Sequence, residues 1–125
     1  TFVAQGFSSD VKELVSLIEA GVKHQGFSFI NVFSPCVTYN KVNTYDWFRE
    51  NLTKVEKIEG FDPTDRKMAM EIVMQYDGLL TGVIYHDPAS KSYQDLLPGY
   101  KEAPLAKGNI HLSQEEFQSL MEEFI

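Results

Sequence analysis

Cys36 is the only cysteine in a chain of 125 residues, and it directly follows a strand-like run. Phe27 to Phe33 is nearly continuous in aromatic and β-branched residues, the pattern of a strand buried on both faces. Pro35 stops it, because proline has no N–H to give the ladder. Cys36 is therefore expected just past the carboxyl end of a central strand, where open α/β sheets hold their ligands. A thiolate at that place is a soft metal ligand. On composition alone, a lone buried cysteine is most often just a small apolar residue. A single cysteine builds no disulfide framework within the chain.

The other candidate groups point to less. His24, His86 and His111 are far apart and fall in three different settings, with no His-x-x-x-His spacing. Surface or capping roles account for them. Glu115, Glu116, Glu122 and Glu123 form an acidic cluster without the spacing of a calcium loop, so a solvated helix face is expected. Ser34 lacks the Gly-x-Ser-x-Gly setting of a hydrolase elbow. No phosphate-cradling glycine loop occurs.

The elements that must position Cys36 can be read in order. Phe2 to Ala4 is a short strand, and Gly6 is expected to break it. Asp10 to Glu13 is a capping signal, with Ser8 and Ser9 as rival caps. Val11, Leu14, Val15, Leu17, Ile18 and Val22 fall at helical spacing and predict one apolar stripe. Lys23 and His24 suit the negative end of that helix, and Gly26 suits the residue beyond it. Strand, helix and strand make a βαβ unit with parallel strands and a right-handed crossover.

After Cys36, Thr38 to Asn43 is polar. Asn43 or Thr44 caps a helix from about Tyr45, with Trp47, Phe48 and Leu52 on its buried side. Val55 to Ile58 is a weak strand candidate that Gly60 ends. Asp62-Pro63-Thr64-Asp65 reads as a helix start with Asp62 as cap. Met68, Ala69, Ile72, Val73 and Tyr76 supply its stripe, and Asp77-Gly78 stops it. Leu80 to Tyr85 is a further strand that should pair nearby, and Asp87-Pro88 is a turn. The pattern weakens from Ala89 to Gly108, punctuated by Pro98-Gly99 and Pro104, with a short helical turn at Leu96-Leu97. Ser113 to Glu116 is a capping box for a last helix carrying Phe117, Leu120, Met121 and Phe124 on one face, with Leu112 and Phe117 as a hydrophobic staple.

The chain is 43% apolar, with nine Phe, six Tyr and one Trp, enough for a core. A formal charge of −7 disfavours nucleic acid as a partner and suits a cytoplasmic protein. No apolar run is long enough for a membrane span, and no signal-peptide pattern occurs. The chain opens on Thr1, already strand-like, and the expectation is the tail of a longer polypeptide; a mature domain trimmed of its leader is the alternative.

Ser34-Pro35-Cys36-Val37-Thr38-Tyr39-Asn40, followed by Lys41 to Arg49, resembles the β subunit of bacterial and archaeal 2-oxoacid:ferredoxin oxidoreductases. The resemblance extends from Thr1-Phe2-Val3-Ala4-Gln5-Gly6 to about Tyr85, including Gly60 to Arg66, and covers roughly the C-terminal half of that subunit. It implies an α/β fold: residues 1–43 as the last βαβ unit of a thiamine-diphosphate-binding domain, and residues 44–125 as a small α+β C-terminal extension. It implies an enzyme that oxidatively decarboxylates a 2-oxoacid, passes the acyl group to coenzyme A and sends electrons through a [4Fe–4S] cluster to ferredoxin. It makes Cys36 the distant fourth ligand of that cluster, the other three lying earlier in the subunit. The family's Gly-Asp-Gly element and following Asn, which hold Mg²⁺ and thiamine diphosphate, do not occur here, so that site must be completed elsewhere. The Thr38–Asn43 loop either approaches the cluster or cofactor or is a solvated connector. Implied partners are the α subunit and ferredoxin, and an exposed sheet edge invites self-association. The competing reading makes the region after Thr44 an assembly module without a cofactor of its own.

Overall fold

Alternation along two central strands decides which face of the sheet each side chain joins. The computed structural model describes residues 1–97, 105–107 and 111–124. Strand β1 (Phe2–Phe7), helix α1 (Val11–Lys23) and strand β2 (Ser28–Phe33) form the expected unit, with β1 and β2 parallel. Helix α2 (Tyr45–Asn51) leads into a two-residue strand β3 (Thr53–Lys54) and a 3₁₀ turn, Val55–Lys57. Helix α3 (Arg66–Gln75) is followed by β4 (Leu80–His86), the short helix α4 (Tyr93–Leu96), a second 3₁₀ turn (Leu105–Lys107) and α5 (Gln114–Glu122). The sheet order is β2-β1-β4-β3. β4 runs antiparallel to β1 and parallel to β3.

Successive strand residues point to opposite faces. Phe2 and Ala4 pack with Leu17 of α1, and Val83 joins them. Val3 and Ile84 belong to the other face, with Val55, Ala69, Ile72 and Leu80. The sheet is thus covered by α1 on one side and α3 on the other, the layering expected of an α/β fold. Between the strands, Asn31 Nδ2 donates to Gln5 Oε1 at 3.0 Å, and Gln5 Nε2 donates to the carbonyls of Gly78 (2.9 Å) and Leu80 (3.1 Å). One amide side chain thereby ties β2, β1 and the start of β4.

Several expectations are corrected by this arrangement. Gly6 does not break β1; it sits inside the strand because a Cβ there would stand 2.9 Å from Leu14 Cδ1, and glycine permits α1 to lie close. The α1 apolar positions make two stripes. Leu17 is buried, while Val11, Val15, Ile18 and Val22 face outward with 46–80% exposure. β2 is an edge strand among the described residues, not a central one: it has β1 on one side only, and Phe29 is 51% exposed. The Val55–Ile58 candidate becomes a 3₁₀ turn, with the strand pairing confined to Thr53 and Lys54. Asp65, not Asp62, caps α3, accepting from the N–H groups of Lys67 and Met68; Asp62 instead accepts from the Thr64 backbone and hydroxyl at 2.8 Å each. β4 does pair with nearby β3, but its other partner is β1, far away in sequence. Gly82 holds φ +115° beside a register shift in that second pairing, and a Cβ there would strike the Val55 side chain.

Other expectations stand. Asp10 caps α1 and Thr44 caps α2. Asp77 and Gly78, both at positive φ, end α3. Ser113 forms the capping box of α5. Pro98-Gly99 and Pro104 lie outside the described residues.

Candidate functional site

Because β1 and β2 are parallel, their carboxyl ends share one edge of the sheet, and Cys36 follows there. Phe33 closes β2, and its carbonyl accepts the Ser8 N–H at 2.9 Å, carrying the ladder one step beyond β1. The chain then leaves as Ser34-Pro35-Cys36 and returns at α2. Phe48 comes back against Phe33 (ring centroids 5.3 Å) and Phe7 (5.8 Å), with Tyr45 also 5.8 Å from Phe7. Both ends of the loop are therefore fixed on the same pair of strand termini.

Within the loop, the Asn40 N–H donates to the Cys36 carbonyl at 2.9 Å. Asn40 Oδ1 accepts from the N–H groups of Val42 (2.9 Å) and Asn43 (3.0 Å), and Lys41 Nζ donates to the Val37 carbonyl. The backbone is thus held by polar contacts while Cys36 remains exposed with a free thiol. Such a thiol is accessible as a ligand. Among the described residues no three His, Cys, Asp or Glu side chains gather as a metal site. The donor set accordingly fits one ligand contributed to a cluster completed elsewhere, and it does not fit a cluster held by this chain alone. For thiamine diphosphate and Mg²⁺ the residues present do not fit.

A cavity of about 290 Å³, lined by both charged and apolar side chains, opens beside the loop's return, between α1, α2 and β3. Lys54 Nζ lies 2.8 Å from Asp10 Oδ2 and 3.2 Å from Glu13 Oε1. Arg49 closes the other wall, with Nη2 donating to Ser9 Oγ at 2.8 Å. The Lys54 hydrogen bond, then the Glu13 backbone N–H, hold the Asp10 carboxyl below its ordinary value of 3.8. Asp10 in turn is the main cause raising Lys54 above 10.5. The signs follow from linkage. The Asp10 contribution is complete above pH 3.8 and is lost as pH falls through its lower folded value. The Lys54 contribution is complete below pH 10.5 and is lost as pH rises through its higher folded value. Both side chains are over a third exposed, so solvent screening keeps the pair to less than about 1 kcal/mol. Asp10→Asn keeps the helix cap and removes the charge. It is expected to lower stability slightly at pH 7 and not at all well below pH 3.8, measured as denaturation midpoints across pH.

Two of the three histidines meet, which corrects the expectation of three separate settings. The rings of His24 and His86 lie 5.2 Å apart, and Phe2 touches both. His24 Nε2 is 2.8 Å from Thr1 Oγ1 and 3.0 Å from Ser90 Oγ. Burial, then the neighbouring His86, lower the His24 pKa. Antiparallel β1–β4 pairing sets His86 opposite Phe2, where α1 ends. Nothing local in the sequence signals that pairing. The cluster sits at the amino end of β1, across the sheet from Cys36. His111 precedes α5, which carries Glu115, Glu116 and Glu122.

A parallel crossover with a braced loop at its carboxyl edge is an α/β unit, and that edge is where open α/β sheets hold their ligands. Residues 36–102 match the protein family described as pyruvate ferredoxin oxidoreductase beta subunit (C terminal), and the chain belongs to that family. It is 29% identical over 131 residues to subunit beta of 2-oxoacid:ferredoxin oxidoreductase 2 from Aeropyrum pernix, covering 94% of this chain and 42% of that protein. A Sulfolobus sp. 2-oxoacid:ferredoxin oxidoreductase subunit beta is 30% identical over 133 residues, covering 98% and 41%. Among solved structures, the 2-oxoglutarate:ferredoxin oxidoreductase from Magnetococcus marinus, with 2-oxoglutarate, coenzyme A and succinyl-CoA bound, superposes with a TM-score of 0.74 at 30% identity, over 96% of this chain and 40% of that one. The chain thus spans about two fifths of the length of these relatives. No helix among the described residues is long and apolar enough to cross a membrane.

Proposed function

We propose that this chain is the cluster-facing C-terminal part of a subunit that oxidatively decarboxylates a 2-oxoacid, delivers the acyl group to coenzyme A and passes the electrons to ferredoxin. The observation that carries the reading is the exposed Cys36, on a loop anchored at both ends, where the family match begins. Cys36 would supply one thiolate of a [4Fe–4S] cluster, whose chemistry is to accept and release single electrons. Thiamine diphosphate and Mg²⁺ would be held by residues outside this chain.

In this reading residues 1–43 end the thiamine-diphosphate-binding domain and residues 44–125 form the extension, the two sharing one sheet through β1 and β4. The α subunit and ferredoxin are the protein partners, and the compartment is the cytoplasm. The open outer side of β2 suits a further strand, from the same subunit or a second copy.

The test uses the full-length subunit assembled with its partner and kept free of oxygen. Pyruvate, 2-oxoglutarate or a branched-chain 2-oxoacid is expected to reduce a one-electron dye, and only when coenzyme A is supplied. No reduction with any of the three by an assembly carrying its full iron would contradict the reading.

A further inference from the structure

We propose that Arg49 is a positioning residue for Cys36, acting through Ser9. The inference rests on Cys36 being a cluster ligand. Arg49 lies on α2, one residue past the Phe48 ring that wedges between Phe7 and Phe33. Its guanidinium makes three contacts in three directions. Nη1 reaches Asp46 Oδ1 at 2.5 Å, Nη2 donates to Ser9 Oγ at 2.8 Å, and the cationic carbon stands 6.0 Å from the centre of the Tyr45 ring. Asp46 and Tyr45 are on its own helix, so those contacts aim the side chain. Ser9 is on the β1–α1 turn, so that contact crosses to another element.

The consequence follows from where the loop is held. Its outgoing end is fixed by the Ser8 N–H on the Phe33 carbonyl. Its returning end is fixed by half-buried Tyr45 and Phe48 packing on buried Phe7 and half-buried Phe33, and by this hydrogen bond. Ring packing resists separation but permits sliding. A directional bond from Arg49 to Ser9, the residue next to Ser8, removes the slide. Both ends of the Cys36 loop are thereby referred to the same turn, residues Ser8 and Ser9. The thiol is presented at one place relative to the carboxyl edge of the sheet, and supporting contacts of that kind govern how a ligand tunes its metal. Lysine is a poor replacement for the fork, since its shorter, more flexible stem presents a single nitrogen to both Asp46 and Ser9 where Arg49 uses two.

As an exposed ion pair, Arg49–Asp46 contributes little to stability. A change in the cluster is therefore the readout that separates positioning from bracing. The experiment uses the full-length subunit in its complex, made without oxygen, as wild type, Arg49→Met, Arg49→Lys, Ser9→Ala, the Arg49→Met/Ser9→Ala double variant and Cys36→Ser. Hydrogen exchange at fixed pH is followed across residues 34–44, together with iron content, the electron paramagnetic resonance signal and the midpoint potential. Arg49→Met and Ser9→Ala are each expected to speed exchange in residues 34–44 severalfold and to shift the potential with iron retained. The double variant should add nothing to Arg49→Met, because the Ser9 bond is already lost in that variant. Arg49→Lys should restore less than half of the shift. Ser9→Ala deletes a single oxygen, so it decides the matter if Arg49→Met fails to assemble. Unchanged exchange would overturn the clasp itself. Faster exchange with an unchanged signal and potential would overturn the positioning role. Full iron with an unchanged signal and potential in Cys36→Ser would instead overturn the ligand reading, a failure distinct from either.

Discussion

Leu80→Ala is expected to destabilise the folded subunit by about 3–4 kcal/mol, the range for emptying a fully buried leucine site. Leu80 has no exposed surface and is packed among Val55, Ala69, Ile72 and Ile84. It begins β4, the strand that joins β1 to β3, and its carbonyl accepts the Gln5 side-chain amide at 3.1 Å. The cost is that of a cavity at the start of the strand, where the Gln5 bond to the Leu80 carbonyl is retained. Met74→Ala on α3 is the internal control. Met74 is 74% exposed, so its truncation should change stability by less than about 0.5 kcal/mol. Denaturant midpoints of the full-length subunit measure both. A Leu80→Ala cost below about 1 kcal/mol would mean that the described core is not what holds this region together.

Local chemistry made much of the fold legible. The caps at Asp10, Thr44 and Ser113 work as their residue types require, since each side-chain oxygen accepts a backbone N–H near the helix start. The parallel β1–α1–β2 unit followed from spacing alone. What failed was set by distant partners. Phe27 to Phe33 reads as buried on both faces because its residues are apolar, but burial depends on a neighbour, and among the described residues β2 has β1 on one side only. Val15 and Ile18 looked like core for the same reason. Asp62 and Asp65 are both plausible caps by type; only the backbone geometry selects Asp65, because Asp62 spends its oxygen on Thr64.

The candidate site divides the same way. Cys36 was legible because its surroundings in sequence are distinctive, and the resemblance of Ser34 to Arg49 to 2-oxoacid:ferredoxin oxidoreductase β subunits agrees with the family match. The Arg49–Ser9 bond was not legible, since its two residues meet only once α2 lies across the carboxyl ends of β1 and β2. The His24–His86 contact was hidden for an equivalent reason at the other end of the sheet. Trp47 and Phe48, expected on a buried side, are half-buried and lie edge to face, 5.0 Å apart. The helix that carries them returns the loop to its own starting point.

Replacing Cys36 by serine has the second large expected effect, on metal content. A hydroxyl is a harder and far less acidic donor than a thiol, so it is a much poorer ligand for cluster iron than a thiolate. The loop backbone should survive the change, because Cys36 is held through its carbonyl by Asn40 and its side chain is exposed. Loss of iron would then report ligation and not unfolding. The decisive measurement is iron and acid-labile sulfide on the full-length subunit, isolated in its native assembly without oxygen, for the unsubstituted protein and for Cys36→Ser. The account predicts about four irons per copy in the unsubstituted protein, falling by at least half in the variant while the assembly persists. Equal iron in both would contradict it, and would leave Cys36 as an exposed residue past the end of a strand.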